Sequence, residues 1–100
     1  VRRYAAASDG NQPEIVAALR AVGATVKTCQ AVGQGFPDLV VAYSGVNHLI
    51  EVKDPTQPKH RHALTPAQVE FHATWAGPIH IVFTAKQALE AIGALRGTVS

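Results

Sequence analysis

Gly35-Phe36-Pro37-Asp38-Leu39-Val40-Val41-Ala42-Tyr43, followed through Ser44-Gly45-Val46-Asn47 by His48-Leu49-Ile50-Glu51-Val52-Lys53, is the stretch whose reading decides the fold. Two apolar runs flank a turn sequence, which predicts a β-hairpin with strands over 38–43 and 48–53. Leu39, Val40 and Val41 in the first run, and Leu49, Ile50 and Val52 in the second, do not alternate cleanly with polar residues. A sheet covered on both faces is therefore expected. A two-residue Ser44-Gly45 loop would set Asp38 opposite Glu51, and a four-residue Ser44 to Asn47 loop would set it opposite Lys53. In both cases the strand period of two puts Asp38, Glu51 and Lys53 on one side of the sheet; a three-residue loop would break this.

Upstream, Asn11 followed by Pro13 and Glu14 is a capping pattern that opens a helix running to about Val22, where Gly23 ends it. Ile15, Leu19 and Val22 form its apolar stripe. Ala24 to Gln30, with Thr25, Val26 and Thr28, reads as a strand. Downstream, Asp54 to Leu64 carries two prolines and the cluster Lys59-His60-Arg61-His62, and reads as a loop long enough to suspect a function. Thr65-Pro66-Ala67-Gln68 starts a second helix bearing Phe71 and Trp75 one turn apart, with Trp75 expected in the core. Ile79 to Thr84 is a short strand, and Ala85 to Leu95 a helix with Ala88, Leu89, Ile92 and Leu95 as its stripe. The order is α-β-β-β-α-β-α, an α/β fold with a mixed sheet flanked by helices. Residues 1–10 have no apolar period and are expected to be a flexible arm.

The 100 residues suit a single domain. Hydrophobic residues make up 47% and charged residues 16%, which fits a folded globular chain and not a disordered one. No apolar run is long enough to span a bilayer and nothing resembles a signal peptide, so no membrane association and a soluble, cytoplasmic setting are expected. The single cysteine, Cys29, excludes an internal disulfide and a Cys-based zinc site and is expected to be a half-buried small hydrophobe. The formal charge of +2 is too modest to indicate nucleic acid by itself. Its distribution says more: Lys59, His60, Arg61 and His62 form one basic cluster, and Arg2 and Arg3 another. Both also fit a solvated loop and a frayed tail.

Two carboxylates held side by side at the mouth of an apolar sheet repel each other unless a cation lies between them. Oxygen ligands suit a hard ion, Mg²⁺ or Mn²⁺, which can polarise a phosphate and activate water. Lys53 on the same face supplies a positive charge for a phosphate or an attacking water.

Gly35-Phe36-Pro37-Asp38, then Glu51-Val52-Lys53, preceded by Glu14 on the first helix, resembles the PD-(D/E)xK nuclease superfamily and its restriction-endonuclease-like core over about residues 11–84. The Gly-x-Pro-Asp form, the small size and the helix opening at Leu64-Thr65-Pro66-Ala67-Gln68 look most like the VRR-NUC (virus-type replication-repair nuclease) domains, relatives of archaeal Holliday junction resolvases. The resemblance implies that Asp38, Glu51 and the main-chain carbonyl of Val52 hold the metal and that Lys53 assists hydrolysis. It also implies that Glu14 contacts the metal or its water, although Glu14 equally fits a helix cap. Gln68 matches a polar position that lines the site in several relatives, and also fits a cap. The activity implied is a metal-dependent DNA endonuclease, of phage, prophage or bacterial type. Branched or Holliday-junction DNA would be its substrate, and a homodimer its assembly. Lys59, His60, Arg61, His62, Gln68, Arg2 and Arg3 are the residues expected to contact DNA.

Three other readings stand beside this one. A restriction- or repair-type nuclease would present the same catalytic face, and a DNA-binding module on the same fold would lack turnover. His60, His62 and His72 offer a histidine-based metal site, though without an obvious third partner for the His60-x-His62 pair.

Overall fold

The computed structural model describes residues 10–95, so Arg2, Arg3 and the rest of the N-terminal arm apart from Gly10 lie outside the described residues. The elements run α1 (Gln12–Ala21), β1 (Thr25–Thr28), β2 (Leu39–Tyr43), β3 (Val46–Val52), α2 (Pro66–Thr74), β4 (Ile79–Val82) and α3 (Ala85–Ala91). This is the expected α-β-β-β-α-β-α order. The sheet is mixed, with strands in the order β1-β2-β3-β4; the first two pairings are antiparallel and β3 pairs parallel with β4.

Between β2 and β3 the turn has the shorter of the two expected lengths. Tyr43 pairs with Val46, and Ser44 and Gly45 both carry positive φ, at 54° and 82°. That is the backbone of a primed two-residue turn, whose twist matches the strands it joins. Leu39 therefore pairs with Ile50, and continuing the register by one residue puts Asp38 opposite Glu51.

The sheet's two faces are not equally covered. Leu39, Val41, Ile50, Val52 and Val82 point toward α1 and α3 and meet Ile15, Leu19, Ala88 and Ile92 in one core. Burying each large side chain contributes roughly 1.5–3 kcal/mol. Among the described residues α2 is the helix on the other face, and Ile81 remains 43% exposed there. Coverage on both sides is thus only partly realised, because a nine-residue helix is too short to cross four strands. Trp75 is likewise not in the core. It follows the last residue of α2 in extended backbone, 43% exposed, with its ring stacked on Phe71 at 5.3 Å. Cys29 is half-buried, as expected.

Two local devices fix the end of the sheet that carries the acids. Asn11 does not cap α1 through its side chain. Its amide instead donates to the carbonyls of Lys53 (3.0 Å) and Phe83 (2.8 Å), tying the ends of β3 and β4 to the start of α1. The second device is Gly35, at φ +82°, where a Cβ would stand 2.4 Å from the Ala67 carbonyl oxygen. Only glycine allows the Gly35-Phe36-Pro37 segment to lie against the first turn of α2. Phe36 then meets Phe71 edge-on at 5.3 Å and holds the helix down.

Replacing Gly35 by Ala should cost about 2 kcal/mol or more, since it adds a backbone clash to the strain of a positive φ. Gly23 has a similar φ of +92° with nothing within 4 Å of a Cβ, so Gly23→Ala should cost only the strain. Thermal unfolding is expected to show a clearly larger drop in Tm for Gly35→Ala. Equal drops would mean that the packing of Gly35 on α2 contributes nothing.

Candidate active site

Asp38, Glu51 and Lys53 come together on the α2 side of the sheet, as the strand parity requires. The backbone explains why a site opens here. Lys53 donates its N–H to the Val82 carbonyl at 2.9 Å, so its peptide faces β4 and that of Val52 faces β2. The register places Pro37 opposite Val52, where an antiparallel pair would exchange two hydrogen bonds. Proline has no N–H, so the Val52 carbonyl receives nothing from Pro37. The Val52 N–H is taken instead by the Asp38 carboxylate, Oδ2, at 2.8 Å. Asp38 is thus anchored to the backbone of β3.

Glu51 and Lys53 are buried, at 3% and 8% exposure. The Glu51 side chain lies close enough to Asp38 to influence its carboxyl, and its Oε2 lies 3.8 Å from the Lys53 ammonium. Two carboxyl groups in such contact need a proton or a cation between them. Burial raises the Asp38 carboxyl above its ordinary value of 3.8, outweighing the Val52 N–H, the Glu51 hydrogen bond and the Lys53 charge, which lower it.

Gln68 combines the two roles expected of it. Thr65 and Gln68 form a reciprocal capping box: the Thr65 N–H donates to Gln68 Oε1 at 2.9 Å, and the Gln68 N–H to Thr65 Oγ1 at 3.2 Å. With Oε1 fixed by the cap, Nε2 is turned toward Glu51 and donates to Oε2 at 3.0 Å. Lys53 Nζ lies 3.4 Å from both Gln68 Oε1 and the Ala63 carbonyl.

Other expected residues lie elsewhere. Glu14 is exposed and, without capping α1 through a side-chain bond from Asn11, lines a neighbouring cavity of about 430 Å³ with Asn11, Asp54 and Phe83; Asp38, Glu51 and Lys53 are not among its walls. Asp54 faces the opposite way from Lys53. The Thr56 hydroxyl and amide hold its carboxyl below the ordinary range. In the loop, Lys59, His60 and Arg61 form an exposed helical turn. His62 is set apart from them, with Nε2 3.0 Å from the Asp54 carbonyl and its ring edge-on to Phe83.

The histidines do not assemble a metal site. Among the described residues no three His, Cys, Asp or Glu side chains gather closely enough to hold an ion by themselves. A hard ion that keeps several waters needs fewer protein ligands. Asp38, Glu51 and the Val52 carbonyl fit such a group by donor type, and the charge of two acids and one lysine leaves a net negative site. No local sequence signal marks the Asn11 strap, whose partners lie 42 and 72 residues away. His72, expected as a metal ligand, follows Gln68 by one helical turn, a spacing that marks it as a neighbour of the site.

No family model and no curated protein matches the chain. A solved structure of a VRR_NUC domain is similar to it, with 25% sequence identity and a TM-score of 0.63, covering 85% of this chain and 92% of that one.

The raised Asp38 carboxyl has a stability consequence. Above pH 3.8 and up to the raised folded value, the folded chain binds more protons than the unfolded chain, so metal-free stability falls as pH rises through that window. Asp38→Asn keeps an acceptor for the Val52 N–H and removes the ionisation. It should be more stable than wild type in EDTA at pH 7, with the gap closing near pH 3. Denaturant titrations at both pH values check this, and a less stable variant at pH 7 would count against the buried-acid argument.

Proposed function

We propose that this chain is a Mg²⁺- or Mn²⁺-dependent endonuclease that hydrolyses phosphodiester bonds in DNA. The observation that carries this reading is the contact between Asp38 and Glu51, with Lys53 buried beside them. It sits on a fold similar to a VRR_NUC domain.

The roles follow from donors and charges. The carboxylates of Asp38 and Glu51 and the carbonyl of Val52 would hold the ion. When bound, the metal supplies Lewis acidity toward a phosphate oxygen and lowers the pKa of coordinated water. Gln68 holds Glu51 in place through Oε2. Lys53, a compact cation on the same face, binds the non-bridging phosphate oxygens and stabilises the negative charge that accumulates during displacement. Lys59, His60 and Arg61 are exposed on the loop that leaves β3 and provide backbone contacts to the duplex. Glu14, which lines a separate cavity with Asp54, is given no part in holding the ion.

We further propose branched DNA as the preferred substrate and a homodimer as the working form. A two-fold dimer presents two equivalent sites to a junction with two scissile phosphates. Apolar side chains left exposed at Ile81 and Trp75 are consistent with a further contact. Among the described residues no helix is long and apolar enough to cross a membrane.

The direct test is cleavage of linear, nicked, flapped and four-way DNA in Mn²⁺. Asp38→Ala and Lys53→Ala should each lower the rate about 10²-fold or more while the fold persists, as judged by circular dichroism. Undiminished cutting by either variant would remove that residue from the site. DNA retention without cutting on every substrate would leave a binding module. Exchanging Lys59 and Arg61 together for Ala should reduce the slope of log K against log salt by about 1.8, the release of two counterions. An unchanged slope would return this loop to an ordinary solvated surface.

A further inference from the structure

His72 stands one turn beyond Gln68 on α2, so its side chain leaves the same face of the helix toward the same part of the sheet. It is half-buried, and its Nε2 is fully buried without a hydrogen-bond partner. Leaving a buried ring nitrogen unpaired costs about 1–3 kcal/mol, so such an atom points to a contact completed in another state.

The group able to complete it is close by. Burial, and then the Lys53 charge, both lower the pKa of His72, which places the two side chains within electrostatic reach and keeps the imidazole neutral at pH 7. Lys53 is loosely held. Its two hydrogen-bond distances are both 3.4 Å and its ion pair to Glu51 is 3.8 Å, all at the long end for an ammonium. One of those acceptors, Gln68 Oε1, is already engaged at 2.9 Å by the Thr65 N–H. An ammonium has three donors and no acceptor; a neutral imidazole with its proton on Nδ1 has a lone pair at Nε2.

We propose that His72 is a positioning residue for Lys53: its Nε2 accepts a hydrogen bond from the ammonium and holds it toward the scissile phosphate when Glu51 is engaged elsewhere. In the described conformation Lys53 leans toward Glu51 and Gln68. Once Glu51 no longer offers it a negative oxygen, the His72 Nε2, buried and without a partner among the described residues, is the acceptor it turns to. The kinetic part of this proposal rests on the nuclease reading; the contact between the two side chains does not.

The test therefore has two arms. In the first, ¹⁵N spectra of the histidine rings at pH 7.5 are compared between wild type and Lys53→Met, with and without Mg²⁺. An unprotonated His72 Nε2 whose shift moves on loss of the lysine is expected. A proton on Nε2, or a shift unaffected by Lys53→Met in both conditions, overturns the proposal whether or not the protein cuts DNA.

In the second arm, Mn²⁺-dependent cleavage by His72→Leu should show kcat lowered about tenfold with KM within about twofold, the pattern of an interaction made in the transition state. His72→Gln, which returns an amide near the position of Nε2, should recover most of that loss. Equal losses in both variants, or none in either, overturn the positioning role. If His72→Leu does not fold, the comparison of His72→Gln with wild type and the ring spectra still decide it. A wild-type protein that cuts no substrate would defeat the nuclease reading alone, and the spectra would then decide the contact.

Discussion

The bond from the Val52 N–H to the Asp38 carboxylate, at 2.8 Å, is the contact on which the candidate site depends. It forms at the end of the β2–β3 ladder, where Val52 lies opposite Pro37 and the neighbouring Asp38 carboxylate accepts the Val52 N–H. A side chain replaces the main chain as acceptor, which fixes the Asp38 rotamer against the backbone. Pro37, which has no N–H, leaves the Val52 carbonyl with no partner on its side. The end of the ladder thereby holds an anchored carboxylate beside a carbonyl that Pro37 cannot engage, and Asp38 stands opposite Glu51 in the register. The tight Ser44-Gly45 turn matters for the same reason. Any other loop length would move Pro37 away from Val52, even where it kept the three side chains on one face.

α2 completes the arrangement from above, and the seating of this helix links folding to chemistry. Gly35 allows the Pro-Asp segment and the first turn of α2 to approach within a distance that no side chain would tolerate. Phe36 against Phe71 holds the contact. The capping box then settles which end of the Gln68 amide faces the acids, because Oε1 is committed to Thr65 and only Nε2 can reach Glu51. A group that would be worth about 1 kcal/mol as a helix cap also orients a buried carboxylate. Its two functions are inseparable, since loss of the cap frees the amide to turn.

This dependence explains how much could be read from the sequence. The apolar runs, the turn residues and the capping sequences are local signals, and they were sufficient for the element order and for the shared face of Asp38, Glu51 and Lys53. The choice between loop lengths was not local, because Ser44-Gly45 and Ser44 to Asn47 are both acceptable turns; pairing of Val46 with Tyr43 decides it. Asn11 looked like a helix cap because its neighbours Pro13 and Glu14 suit one. Its amide instead meets two carbonyls far along the chain. Trp75 was expected inside because large aromatic residues bury well, but α2 ends one residue earlier and leaves the ring at the surface. These departures arise from long-range contacts or from the length of one helix, neither of which is encoded in a short window.

The acids and the lysine also oppose one another in a way that suits a transient ligand. Lys53 lowers the cost of the two buried carboxylates, yet one ammonium cannot neutralise both, and its distance of 3.8 Å from Glu51 is long for a settled pair. A closer ion pair would leave less attraction for a divalent cation and would hold Lys53 away from any phosphate. Without the lysine the Asp38 carboxyl would be raised further, since the Lys53 charge is one of the influences that lower it. The loose geometry lies between these limits. Lys53 is buried among three acceptors, each at 3.4 Å or more, so no one of them holds it tightly.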